Sequence, residues 1–318
     1  MKSLLRRVWL QLFVAGILSL LLVPAGCRNG AAPTEDAAEK APPARIVSVA
    51  PSVTETLFAL GLGDRVVGVS DYCKYPPEAN ALPRLGGLYN PNIERIVELR
   101  PDLAVLLREH RELAEKLARA GIDTLSVDHA SVAGILDSFE EIARRCGVPE
   151  SGTALRARSE ERLEKMRVTR GGEPVSVLMV LDRDLGQRRI TQVYAAGKNR
   201  YFNDLLRLAG ASNVLADAAS AVPTLSREGI IDANPDVVVD LSSLGAVPEA
   251  DAAELEDLYR HDWDSLADAL AAARDGRVYP ILVDYATIPG PRFVAFAELL
   301  SEILHPRPSP ESGRTEDN

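Results

Sequence analysis

Two stretches decide the architecture: Glu94 to Val105, ERIVELRPDLAV, and Glu228 to Val239, EGIIDANPDVVV. They align without a gap at an offset of 134 residues, with identities at Glu94 and Glu228, Ile96 and Ile230, Pro101 and Pro235, Asp102 and Asp236, and Val105 and Val239. Each copy sets a glutamate near the start of a short helix, ends that helix at Pro-Asp and feeds an apolar strand. One copy would be ordinary α/β sequence. Two copies, in corresponding positions of two blocks, predict two lobes of similar build.

Working outward, strands and helices alternate on both sides of each copy. In the first block the patterning predicts strands at Arg45–Ala50, Val66–Val69, Leu103–Leu107 and Ile122–Val127. Helices are expected from Ser52, capped reciprocally by Glu55, at Ile93–Leu99, Glu109–Ala120 and Ser131–Arg145. In the second block it predicts strands at Val175–Leu181, Gln192–Ala195, Val237–Leu241 and Val278–Val283, with helices at Tyr201–Ala209, Arg227–Ala233, Trp263–Arg274 and Arg292–Leu304. Between the blocks, SGTALRARSEERLEKMRVTR is charged and lacks any β-like stretch, so it reads as a solvated helix. The expected fold is α/β: two similar lobes with mostly parallel sheets, 45–150 and 173–305, joined by a single long helix at 151–172, with a ligand cleft between the lobes.

The 318 residues suit two domains, and 46% apolar content excludes wholesale disorder. Residues 1–26 carry Lys2, Arg6 and Arg7 ahead of an apolar run and read as a signal peptide. Without them 33 basic side chains face 46 acidic ones, a balance of −13 that removes nucleic acid as a partner. Residues 27–44 are small, polar and Pro-containing, a flexible tether, and 306–318 have the composition of a disordered tail. Cys73 and Cys146 form an even number in an oxidising compartment, and the sequence leaves open whether they form a disulfide or stay separate thiols.

Pro24-Ala25-Gly26-Cys27 resembles the lipobox of a bacterial lipoprotein, with Pro24 in place of the usual Leu; the resemblance implies lipidation at Cys27 and an exported protein held at the membrane. RIVSVAPSVTETLFALGLGDRVVGVSDYCKYPPEA from Arg45, LPRLGGLYNPNIERIVELRPDLAVL from Leu82, VYAAGKNRYFNDLLRLAGASNV from Val193 and PGPRFVAFAELLSEILHP from Pro289 resemble the periplasmic substrate-binding proteins of ABC importers for cobalamin and ferric siderophores. That family implies two lobes on one rigid helix, a small closure, and delivery of a metal-chelate nutrient to permease and ATPase subunits. It also implies a monomer without a catalytic centre or resident cofactor. A haem receptor, or a surface enzyme or sensor on the same fold, are the alternatives.

The resemblance also implies that Glu94 and Glu228, one at the tip of each lobe, dock into basic pockets of two permease subunits. A pseudo-symmetric receptor must address a two-fold transporter by the same contact from each side. The ligand is expected against loops at the carboxyl ends of parallel strands. Those loops offer Pro51-Ser52, Asp71-Tyr72, Leu88-Tyr89, Arg108-Glu109 and Asp128-His129 in the first lobe, and Asp182-Arg183, Ser242 and Asp284-Tyr285 in the second, with Tyr194, Lys198 and Arg200 nearby. Tyr72 matches a ligand-contacting position of the family, and Ser52, Tyr89, Arg108 and Tyr285 complete the expected set. Where cobalamin receptors place tryptophans this chain has Leu88, Leu107 and Val222. His110, His129, His261 and His305 are scattered without the spacing of a metal cage, and AAGKN at Ala195 lacks the ends of a phosphate loop.

Overall fold

The protein is described from a computed structural model, which covers residues 41–166, 173–242 and 252–306. The leader, Cys27, most of the tether, the end of the predicted linker and the tail past 306 lie outside the described residues. Among the described residues no helix is long and apolar enough to cross a membrane.

In the first lobe β1 (Ile46–Ser48), β2 (Val66–Val69), β3 (Leu103–Leu107) and β4 (Asp123–Val127) form a wholly parallel sheet in the order β2-β1-β3-β4. β1 and β3 are buried along their whole length, as strands covered on both faces must be. The covering helices are α1 (Pro51–Ala59), α2 (Ile93–Glu98), α3 (Arg111–Arg119) and α4 (Val132–Arg145). α5 (Pro149–Met166) leaves the lobe.

The second lobe contains β5 (Val175–Asp182), β6 (Gln192–Ala195), β7 (Ala211–Asn213), β8 (Thr224–Ser226), β9 (Val237–Asp240) and β10 (Val278–Pro280). Its helices are α6 (Arg200–Leu208), α7 (Arg227–Ala233), α8 (Ala252–Asp264), α9 (Ala271–Arg274) and α10 (Phe293–Leu304). The parallel pairs give a run β7-β5-β9-β10 that repeats the first lobe's order, with β6 added antiparallel to the far end of β5 and β8 antiparallel to β6.

The echo has a structural meaning. Leu103 opens β3 and Val237 opens β9, the same 134 residues apart. The echoed aspartates do the same work: Asp102 Oδ2 accepts from the Ala44 and Arg45 amides at 2.9 Å, and Asp236 Oδ2 accepts from the Ser176 amide at 2.8 Å. Each Asp thereby pins the entry of its lobe's central strand, and the Ser176 donors hold the Asp236 carboxyl below its ordinary range.

α5 is half-solvated rather than free, burying Gly152, Leu155, Ser159 and Leu163. A Cβ on Gly152 would lie 2.5 Å from Ala143 Cβ, so glycine is what lets α5 approach α4. From α5, Arg162 donates to both carboxylate oxygens of Glu298 on α10 of the second lobe, at 2.9 and 2.6 Å.

Two sequence expectations are corrected. α1 starts at Pro51 with Ala50 as an N-cap that makes no side-chain bond, so Ser52 and Glu55 do not cap it; both side chains turn to partners elsewhere. The helix expected from Trp263 to Arg274 is two helices, because α8 ends where Trp263 and Asp262 are drawn into the core, Trp263 Nε1 donating to Asp240 at 2.9 Å. Cys73 and Cys146, whose pairing the sequence left open, are separate buried thiols.

Candidate functional site

The carboxyl ends of β1 and β3 and the loop before α10 enclose a cavity of about 400 Å³ between the lobes. Its apolar lining includes Leu88, Leu107, Ile288 and Pro289, and its polar lining Ser52, Glu55, Tyr72, Tyr75 and Arg292. Gly290 lies against α1: a Cβ there would come within 3.1 Å of Ser52 Cα and 3.2 Å of Glu55 Oε2. A side chain at 290 would wedge the lobes apart.

Tyr72 stands 61% exposed on a loop whose ends are fixed. Buried Cys73 meets the hydroxyls of Thr54 and Ser70 at 3.1 Å, and Arg84 donates to the carbonyls of Ser70 and Cys73 at 3.0 and 2.8 Å. These contacts pin the loop while the Tyr72 ring stays open, a preorganised platform for a flat ligand.

Behind that platform, Arg292 of the second lobe donates through Nε and Nη2 to both oxygens of Glu55 in the first, at 3.0 and 2.7 Å, and through Nη1 to Asp284 at 2.8 Å. Its guanidinium stacks on Tyr75, 3.9 Å from the ring centre, and lies 5.2 Å from that of Tyr285. Glu55 is 2% exposed; burial pushes its carboxyl above the ordinary range, and the Arg292 pair opposes that shift.

Ser52 lines the cavity and meets His129 Nδ1 at 2.9 Å. His129 Nε2 meets Ser138 Oγ at 2.8 Å, and that hydroxyl donates to the Ile135 carbonyl. The Ser138 proton being spent, Nε2 carries the imidazole proton and Nδ1 accepts from Ser52. Burial lowers the His129 pKa to about 4, so the ring is neutral and a weak base.

Of the expected ligand set, Ser52 and Tyr72 line the cavity. Tyr89 follows lining Leu88 and is 87% exposed at the rim. Arg108 does not line the cavity and pairs with Asp128 at 3.3 Å. Tyr285 is half-buried behind Arg292 and packs on the core. Leu88 and Leu107 line the cavity, whereas Val222 is exposed outside it. Arg183 is not a cleft residue: it is buried with Asp240 and Asp262, each at 2.6 Å, because a guanidinium in that core needs both carboxylates. Sequence reasoning missed Arg292 and Glu55 as a pair, since 237 positions separate them.

Glu94 and Glu228 occupy matching places. Asn92 caps α2, accepting from the Arg95 amide at 2.9 Å, and Ser226 caps α7, accepting from the Gly229 amide at 3.2 Å. Each glutamate is the second residue of its helix and exposed. Hydrogen bonds from its own backbone amide and Ser226 depress the Glu228 carboxyl.

Residues 46–281 match the periplasmic binding protein family. The chain belongs to that family. An uncharacterized ABC transporter substrate-binding lipoprotein, YvrC of Bacillus subtilis, is 30% identical over 86% of this chain and 84% of its own length. A vitamin B12-binding protein of Vibrio cholerae is 27% identical over 83% and 90%. Among solved structures, the periplasmic vitamin B12-binding protein BtuF of Vibrio cholerae superposes with a TM-score of 0.70 at 26% identity, covering 83% of this chain and 97% of that one. The periplasmic heme-binding protein RhuT of Roseiflexus superposes at 0.65 and 28%, covering 82% and 97%. These family members are named for binding rather than catalysis, and they share the two-lobed α/β architecture.

Proposed function

We propose that the chain is the substrate-binding component of an ABC importer that captures a metal-chelate nutrient, a corrinoid or a ferric siderophore, and hands it to a membrane permease. The observation that carries this reading is the interlobe cavity, with an open tyrosine face at Tyr72 on pinned backbone, Tyr75 beside it stacked on Arg292, and an aliphatic floor at Leu88 and Leu107. A chelate with a flat or apolar face buries area there without ordering the loops first. Relatives named for vitamin B12 and heme support the ligand class. Calorimetric titration of the mature protein with cyanocobalamin, haem and ferric siderophores tests it: saturable one-to-one binding of one of them is expected, and absence of binding to all would refute it.

Export and a lipid anchor at Cys27 belong to the same reading, supported by the lipobox-like PAGC and by a relative named as a lipoprotein. Cys27→Ser is expected to release the protein from the membrane fraction. A monomer presents Glu94 and Glu228 to two permease subunits. The Glu94→Ala, Glu228→Ala double variant is expected to abolish stimulation of transporter ATPase while binding chelate as before; full stimulation would rule out docking through these glutamates.

A further inference from the structure

The charges of the cavity do not suit every metal chelate. Its lining holds three carboxylates, Glu55, Glu109 and Asp284, against two cations, Lys74 and Arg292. Arg292 is already spent. All three of its nitrogens donate to carboxylates, at 2.7 and 3.0 Å to Glu55 and 2.8 Å to Asp284, and Tyr75 and Tyr285 lie against its plane at 3.9 and 5.2 Å. A guanidinium whose edges and faces are occupied has no fork left for an anionic ligand. The triad of Glu55, Arg292 and Asp284 carries one surplus negative charge, and the other two lining charges, Glu109 and Lys74, are exposed and cancel. Arg108, next in the chain to lining Leu107, does not itself line the cavity and pairs with Asp128 at 3.3 Å.

Building on the receptor reading, we infer that this cleft selects its chelate by charge: it takes uncharged or cationic chelates and rejects polyanionic ones, with Asp284 and Glu109 as specificity-determining residues. A polyanion entering would lose its hydration and find no free guanidinium in exchange. An uncharged chelate rich in amides or hydroxamates meets tyrosine faces, the Ser52 oxygen and apolar floor, and loses little.

The test uses ligand pairs matched in shape and differing in charge. One pair is cobinamide, whose corrin side chains are amidated, against cobyrinic acid, which carries them as carboxylates; the other is an uncharged ferric tris-hydroxamate against a trianionic ferric tris-catecholate. In at least one pair the uncharged or cationic member is expected to bind ten times more tightly or better. Asp284→Asn and, separately, Glu109→Gln are expected to raise the affinity ratio of anionic to uncharged ligand about tenfold, the scale of a few screened charge pairs across a cleft. Lys74→Gln should move that ratio the other way. If the anionic member of a pair, or haem with its propionates, binds as tightly as the uncharged ligands, or if neither carboxylate variant moves the ratio, charge selection is overturned and the receptor reading stands. If no chelate of any charge binds, the receptor reading itself fails and takes charge selection with it.

Discussion

Arg292 and Glu55 form an ion pair with a buried member that ties the lobes together at the cleft, with side chains 18% and 2% exposed. Removing one partner of such a pair strands the other charge at a cost of about 3 to 5 kcal/mol. Arg292→Ala is therefore expected to lower the urea midpoint strongly; an unchanged midpoint would show that the pair does not hold the lobes. His129 works differently. Its folded pKa of about 4 lies below the 6.5 of the unfolded chain, so the unfolded state binds the extra proton in that window. The stability it contributes is complete above about pH 6.5 and is lost as pH falls toward 4, about 3 kcal/mol in all. Glu55, with its carboxyl raised, acts in the opposite sense, gaining stability as pH falls through its folded pKa. Comparing urea denaturation of wild type and His129→Gln between pH 7 and 4 isolates the histidine, and the variant should lose most of the acid sensitivity in that window.

At the scale of elements, α2 and α7 depend on their caps as much as on apolar positions, since each buries only one side chain, Ile96 and Ile230. Asn92→Ala or Ser226→Ala should cost about 1 kcal/mol of local helix stability and show as faster amide exchange in the first turn. These helices, their Pro-Asp exits and the strands after them were legible because the determinants are neighbours in the chain. The capping reading of Ser52 and Glu55 failed for the opposite reason. The local spacing was right for a cap, but a Pro at the first helical position and partners at His129 and Arg292 decided otherwise. Likewise β7 and β8 are three residues each and carry no periodicity of their own; pairing to β5 and β6 makes them strands.

For the whole molecule, the two lobes are joined by α5 and braced by Arg162 with Glu298 and by Arg292 with Glu55. Such a frame resists wide hinge closure. Small-angle scattering is expected to give the same radius of gyration with and without ligand, and a clear contraction on binding would contradict a rigid frame. Cys73 and Cys146 are both buried, and burial pushes the Cys146 thiol up to about 11. With Cys27 lipidated, the mature protein should show no fast-reacting thiol when folded and two in denaturant.

The sequence by itself determined the α/β class, the two echoed lobes, the helix between them and the matched placement of Glu94 and Glu228, because periodicity, caps and breakers act within a few residues. Only the tertiary structure decided which side chains face the cleft and which charges remain free. Tyr72 and Ser52 reach the cavity, Arg108 and Tyr285 do not line it, and Arg292 is neutralised by residues from both lobes. The availability of a charge depends on partners brought together by packing across the whole chain, and no local pattern records them.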